Sequence, residues 1–508
     1  MNLVKTPLAI ILAALLTAQI TASVQMRAAG QNGTATLQAY ARNVVLDVVV
    51  TDANGTLVRD LHRDDFEVLE DGTPERIVDF ESPGSNAIDP RAVVHSTADL
   101  DAISPRSPVT IIVLDEINTT FEDMAFARYS LHHYLEKQPQ RLDQPTMLVA
   151  VGIDRFTALL DYTQDKRTLL RVLDRHFVQY PWHLDSSWNN ERFASAFTAL
   201  MQVGEATIGH PGHKNLIWVG RGFPTVDPMQ VTVANWEKLQ QLIRRCINEL
   251  RDARITLYTI DPAGIPKSAD PDDESPNDID PFGGSVQFAA VAEATGGRAF
   301  YGRNDVDGGI GSSIRDGDGF YTITYMPPAP DGPGQSFRRV RIRLRDPHLH
   351  AVTREGYYLT AAVKMSVPNT AVEGKQSRLD LLAAANTTLV YDGLPLTIKR
   401  MDSAPYKITV QLPSASITQE PRDTDQERTA HLEVLIEIFD RKNKILSSVV
   451  KEITAAFATP EEGKESPSNL YFHLGLPRNA SAARLRVVVR LEGSGKVGAL
   501  NLDLRKNR

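Results

Sequence analysis

The chain has 508 residues, 42% of them hydrophobic and 23% charged, with a formal net charge of −8. At roughly 150 residues per domain, this length makes about three domains. The composition excludes a disordered, collagenous or disulfide-dense chain, and the chain lacks the basic footprint of a dedicated nucleic-acid binder.

The first thirty residues read as a secretory signal peptide. Asn2 to Lys5 form a short positive segment, and Leu8 to Ala18 an apolar run of 11 residues. That run is too short to span a bilayer, which takes about 20 residues. Cleavage after Ser23 or after Gly30 both fit, and an uncleaved anchor is the alternative. No later apolar stretch is long enough to cross a membrane as a helix. The expected destination is therefore periplasmic, cell-surface or secreted. The single cysteine, Cys246, lies in a helical pattern and reads as a buried apolar residue.

Residues 38–83 read as β-strands: Val44 to Val50, Phe66 to Glu70 and Ile77 to Phe80, with turns at Asn54-Gly55 and Asp71-Gly72. This is too little chain for an independent core. Residues 84–107, rich in Ser, Pro, Ala and Asp, read as a linker.

From 108 to 318 strands and helices alternate. The expected strands are Val109 to Leu114, Met147 to Val151, a short edge strand Phe156 to Leu160, Asn215 to Val219, Ile255 to Ile260 and Arg298 to Tyr301. Helical patterns cover 121–137, 165–177, 191–208, 231–253 and 285–295. This rhythm implies a mostly parallel sheet with helices on both faces. Ligands bind such sheets outside the carboxyl ends of the strands, here the loops after Leu114, Val219 and Ile260.

Residues 319–361 return to strands. Arg338 to Leu344 alternates Arg with apolar residues, giving one basic and one buried face. Pairing these strands with 38–83 would make one β-sandwich into which the α/β segment is inserted. Residues 362–508 read as a further β-rich domain with strands at Leu394–Lys399, Tyr406–Leu412, Leu432–Phe439 and Leu485–Leu491.

Five stretches in order carry a family resemblance. They are Asp64-Asp65-Phe66-Glu67-Val68-Leu69-Glu70-Asp71-Gly72, Leu114-Asp115-Glu116-Ile117-Asn118-Thr119, Gly212-His213-Lys214-Asn215-Leu216-Ile217-Trp218-Val219, Ala294-Thr295-Gly296-Gly297-Arg298-Ala299-Phe300, and Arg354-Glu355-Gly356-Tyr357-Tyr358. Over roughly 40–360 the chain resembles the bacterial, acidobacterial-type VWFA-related family of exported proteins. Its α/β segment resembles a von Willebrand factor A-type domain. The resemblance implies a doubly wound, mostly parallel sheet and, in many members, a metal-ion-dependent adhesion site built on Asp-x-Ser-x-Ser, a later Thr and a later Asp.

Here that site is degenerate. Asp115 matches the first Asp and Thr119 can replace the second Ser, so these two are the candidate metal ligands, for Mg²⁺ or Ca²⁺. Ile117 stands where the first Ser belongs, and Arg221 takes the place of the later Asp. A guanidinium repels a cation. Thr198 lies near the expected Thr, and Asn118 is an oxygen donor out of register. Without a metal, Asp115 pairs with Arg221 or caps the following helix with Thr119 and Thr120. Alternatively, Arg221 receives a partner's carboxylate directly, with Asn118 and Thr198 beside it.

Other constellations are weaker. Six carboxylates at Asp270, Asp272, Asp273, Glu274, Asp278 and Asp280 lack calcium-loop spacing and read as a solvated loop. Asp316-Gly317-Asp318-Gly319 reads as a turn, and His210 and His213 as loop residues. No phosphate loop, nucleophile elbow or zinc-protease motif is present. The expected function is non-enzymatic protein binding or adhesion, the partner being an unidentified envelope or extracellular protein. An envelope scaffold with a closed site is the alternative, and a metal-dependent hydrolase the third reading.

Overall fold

The computed structural model describes residues 43–505 except 153–155, 177–188, 224, 227, 265–281, 283–285, 328–336, 360–380, 386, 402–403, 418–419, 422–426, 459–468, 477–480 and 493. The signal segment 1–30 and the acidic loop 270–280 lie outside the described residues. The protein is mixed α/β with several sheets.

The chain opens with β1 (Val44–Thr51), β2 (Phe66–Glu70), β3 (Thr73–Glu75) and β4 (Ile77–Glu81). In β1 every second residue is buried, the period-2 signature of a strand with one covered face. Residues 84–107 were expected as linker, but Thr97–Ile103 is a helix, α1. Ser96 caps it by accepting from Asp99 N, and Asp161 holds Thr97 through both its N–H and its hydroxyl. A capped single helix among Pro and Ser leaves little periodicity to read.

The central sheet comprises β5 (Val109–Asp115), β6 (Arg141–Val151), β7 (Phe156–Asp165), β8 (Lys214–Val219), β9 (Ile255–Ile260) and β10 (Ala299–Phe300), in spatial order β10-β9-β8-β5-β6-β7. All neighbouring pairs are parallel except β6–β7. The edge strand β7 runs five residues beyond the expected Leu160, to Asp165. Every residue of β5, β8 and β9 is buried, because helices cover both faces. On one face α4 (Asn189–Thr207), α5 (Val233–Asp252) and α6 (Phe288–Ala294) pack on Ile111, Val113, Leu216, Trp218 and Leu257. On the other, α2 (Phe121–Lys137), α3 (Lys166–Arg175) and α7 (Val306–Asp316) pack on Ile112, Leu114, Ile217 and Ile260.

β11 (Phe320–Tyr325) lies antiparallel between β1 and β4, with Leu46 opposite Ile323. β12 (Phe337–Leu344) pairs with β2, Ile342 opposite Val68, while β13 (His350–Val352) joins β1 and β14 (Gly356–Tyr358) joins β12. The segments before and after the α/β part thus share two four-stranded sheets and one core of Leu46, Val48, Val68, Tyr321, Ile323 and Val340. One such segment alone could not bury these side chains.

The C-terminal part holds β15 (Tyr391–Asp392), β16 (Thr397–Met401), β17 (Ala404–Pro413), β18 (Glu420–Pro421), β19 (Glu427–Phe439), β20 (Ile445–Ala458), β21 (Asn469–Gly475), β22 (Arg484–Leu491) and β23 (Val497–Asp503). They form a sheet β15-β23-β22-β19-β18 with β20 on β19, and a sheet β16-β17-β21, around a shared core. Buried Arg486 donates to the carbonyls of Ala384 and Leu389, and Thr388 Oγ1 accepts from Ala158 N, so this part is bonded to β7.

Candidate functional site

In the central sheet the strand order reverses between β5 and β8, since chain connections run outward from that pair in both directions. A crevice opens at such a switch point, at the carboxyl ends of the strands. Asp115 is the last residue of β5, and Arg221 stands two residues beyond β8.

Asp115 is fully buried, and each carboxylate oxygen accepts two N–H groups. Oδ1 takes Ile117 N at 3.1 Å and Asn118 N at 3.0 Å; Oδ2 takes Trp218 Nε1 at 3.0 Å and Gly222 N at 2.9 Å. A carboxylate offers about four acceptor positions, and here all four are used. Burial pushes the Asp115 carboxyl up to about 6, against N–H donors that favour the anion. Trp218 is wholly buried in β8, and its indole N–H requires the acceptor that Asp115 supplies.

Two glycines let the β8 loop reach this knot. Gly220 has φ +150°, and a Cβ there would lie 2.3 Å from Asp115 Cβ. Gly222 has φ +67°, and a Cβ there would lie 2.0 Å from the Phe288 ring. Between them, Arg221 N donates to Thr119 Oγ1 at 3.2 Å.

The expected roles change accordingly. Asp115 is a poor fit for a metal, because its carboxylate has no acceptor position left, and Thr119, whose hydroxyl oxygen accepts from Arg221 N, is left without the carboxylate that a cation would need beside it. Asp115 makes no ion pair with Arg221. Instead the Arg221 guanidinium lies 3.1 Å from Asp123 and 3.9 Å from Asp261, with 44% of the side chain exposed. Thr120, rather than Asp115 or Thr119, caps α2 by accepting from Asp123 N. Asn118 accepts from Arg192 Nε at 2.8 Å, while its Nδ2 is buried without a hydrogen-bond partner among the described residues. Thr198 lies on the exposed side of α4, between buried Phe197 and Ala199; among the described residues no hydrogen bond joins it to the knot.

Sequence reasoning missed Trp218, Gly222, Arg192, Asp123 and Asp261 as members of this cluster. The glycines flanking Arg221 were the available signal. It also missed the pairing of Glu116 with His176 beside the knot. Among the described residues no hydroxyl or thiol bonds that imidazole.

His210 and His213 lie in the loop before β8, at the opposite, amino end of the sheet, and both are buried there. His210 bonds the Ser107 carbonyl and His213 bonds Asp47.

Around the knot the carboxyl-end segments are apolar at their tips. Phe121 opens α2, Met229 and Val233 follow β8, and Tyr301 follows β10; all four are more than half exposed. No family model matches the chain, and no curated protein matches it.

Proposed function

We propose that this chain is an exported, non-enzymatic protein-binding module with a von Willebrand factor A-like α/β part of the VWFA-related kind, contacting its partner through the carboxyl-end loop face. The observation that carries this reading is the composition of that face: exposed Phe121, Met229, Val233 and Tyr301 on segments leaving the strand ends, and the half-exposed Arg221 two residues past β8. Aromatic residues, Met and Arg are the types enriched in the centres of protein interfaces. The sheet order and its single antiparallel edge strand support the A-type architecture. The adhesion mechanism is metal-free, because the knot around Asp115 consumes the ligand that a cation would need. The partner is an envelope or extracellular protein.

A second reading, a structural scaffold with no open ligand site, is favoured by the internal ion pairs of Arg221 with Asp123 and Asp261. Arg221→Ala and Phe121→Ala separate the two. Under the binding reading, capture of the partner from an envelope extract by the purified mature chain falls in both variants while thermal unfolding barely moves. Under the scaffold reading, Arg221→Ala lowers the melting temperature and nothing is captured by either protein.

A further inference from the structure

β12 carries a second charged feature, remote in sequence from the loop face. Arg339, Arg341 and Arg343 alternate with Val340, Ile342 and Leu344, which pack into the sandwich core. The arginines therefore share the outward face, at about 7 Å intervals along the strand, and Arg345 follows directly past its end. Arg341, Arg343 and Arg345 are exposed. Arg343 is held by Glu67 across the strand pair at 2.7 Å. Arg339, Arg341 and Arg345 make no ion pair among the described residues. Half-buried Glu355 lies near Arg339 and Arg341, whose charges oppose the upward shift that burial gives its carboxyl. A chain of net charge −8 has thus gathered guanidinium groups into a single row.

We propose that this row is a docking surface for an extended acidic polypeptide segment of a partner protein, carrying carboxylates on alternate residues. The chemistry points there in three ways. An extended peptide repeats its same-side side chains at the interval of the arginine row, because both follow β geometry. All the cations are Arg, whose planar fork takes a carboxylate with two parallel hydrogen bonds. The row is one strand wide and bordered by Glu67, Asp71 and Glu355, so a planar anionic surface would press its charges onto those carboxylates, whereas a single extended strand would not.

The test is a titration at low salt of the purified chain with a synthetic peptide alternating Glu and Thr, beside a peptide of the same composition with its Glu residues in one block. The alternating peptide binds more tightly, and its affinity falls with added salt. Arg341→Gln with Arg345→Gln weakens it roughly tenfold, the loss expected from two charge-assisted contacts. Arg441→Gln with Lys442→Gln, in the exposed turn before β20, leaves it unchanged. Both pairs are at the surface, and unchanged circular dichroism melting confirms folding. Equal affinity for the two peptides, equal loss in the control pair, or binding of heparin or anionic vesicles but not of the alternating peptide would each overturn the proposal.

Discussion

Asp115 accepts four N–H groups from three segments, so its role is to tie the β5 loop, the β8 strand and the β8 loop together. Asp115→Asn replaces one acceptor oxygen with a donor facing Gly222 N–H and the Trp218 indole, or facing the two β5-loop amides. The expected loss is about 2–4 kcal/mol, from buried donors left unsatisfied, read as a drop in the urea midpoint. Titration with Mg²⁺, Mn²⁺ or Ca²⁺ should show no binding that Asp115→Ala removes; a saturable isotherm lost in that variant would contradict the saturated-carboxylate argument. Asp115 was visible in the sequence as the end of an apolar strand, and it and Thr119 were singled out by the resemblance to the adhesion-site motif. Their hydrogen-bond partners were not, since Trp218 and Gly222 lie more than a hundred residues away and reach Asp115 only through the parallel pairing of β5 with β8.

At the scale of elements, the β8 loop and α7 make opposite demands on glycine. Gly222→Ala puts a methyl into the Phe288 ring at a positive φ, and should cost about 2–4 kcal/mol while displacing Arg221. Gly309 lies inside α7, where a Cβ would meet Phe300 and Ile260 at ordinary contact distances of 3.5 and 3.6 Å. Gly309→Ala should therefore stabilise the protein by about 0.5–1 kcal/mol, through helix propensity and a less flexible unfolded chain. Thermal unfolding of the two variants checks both signs. The same glycines explain why α7 was not read from the sequence. Gly308, Gly309 and Gly311 weaken its helical signal, and the helix persists because Asp305 caps it and Val306 and Ile310 are buried against the sheet. Long apolar strands such as β5 and β9 were legible, being covered on both faces. β20 and β21 were not, because polar residues interrupt their alternation.

Across the whole molecule, the sandwich is fastened to the amino end of the central sheet by a buried ionic joint. Asp47 of β1 meets His213 at 2.9 Å and also bonds Arg254, which in turn donates to Thr322 of β11. Burial alone would raise the Asp47 carboxyl, but Arg254 and His213 hold it far below the usual carboxylate range. A depressed folded pKa adds stability that is fully present above the unfolded value of about 3.9 and is lost as pH falls below it toward the folded value. Asp47→Ala should cost about 3–5 kcal/mol at neutral pH, leaving Arg254 and His213 buried without their carboxylate. The difference from wild type should shrink below about pH 4, where the wild-type joint itself weakens. Urea unfolding at neutral and acid pH measures both. The pairing of the two flanking segments could be inferred from the size of 38–83, too small to fold alone; the joint could not, because its residues are scattered over β1, the loop before β8, the turn before β9 and β11.

The most direct test of the proposed binding face is site-specific photo-crosslinking in intact cells that make the protein. A photoreactive residue is placed singly at Phe121, Met229 or Tyr301, and at exposed Val450 or Tyr471 on the C-terminal sheets as controls. The account predicts one discrete protein adduct, shared by the three loop-face positions and absent from the controls. Adducts formed equally at the controls, or none at the loop face while the controls react, would contradict it.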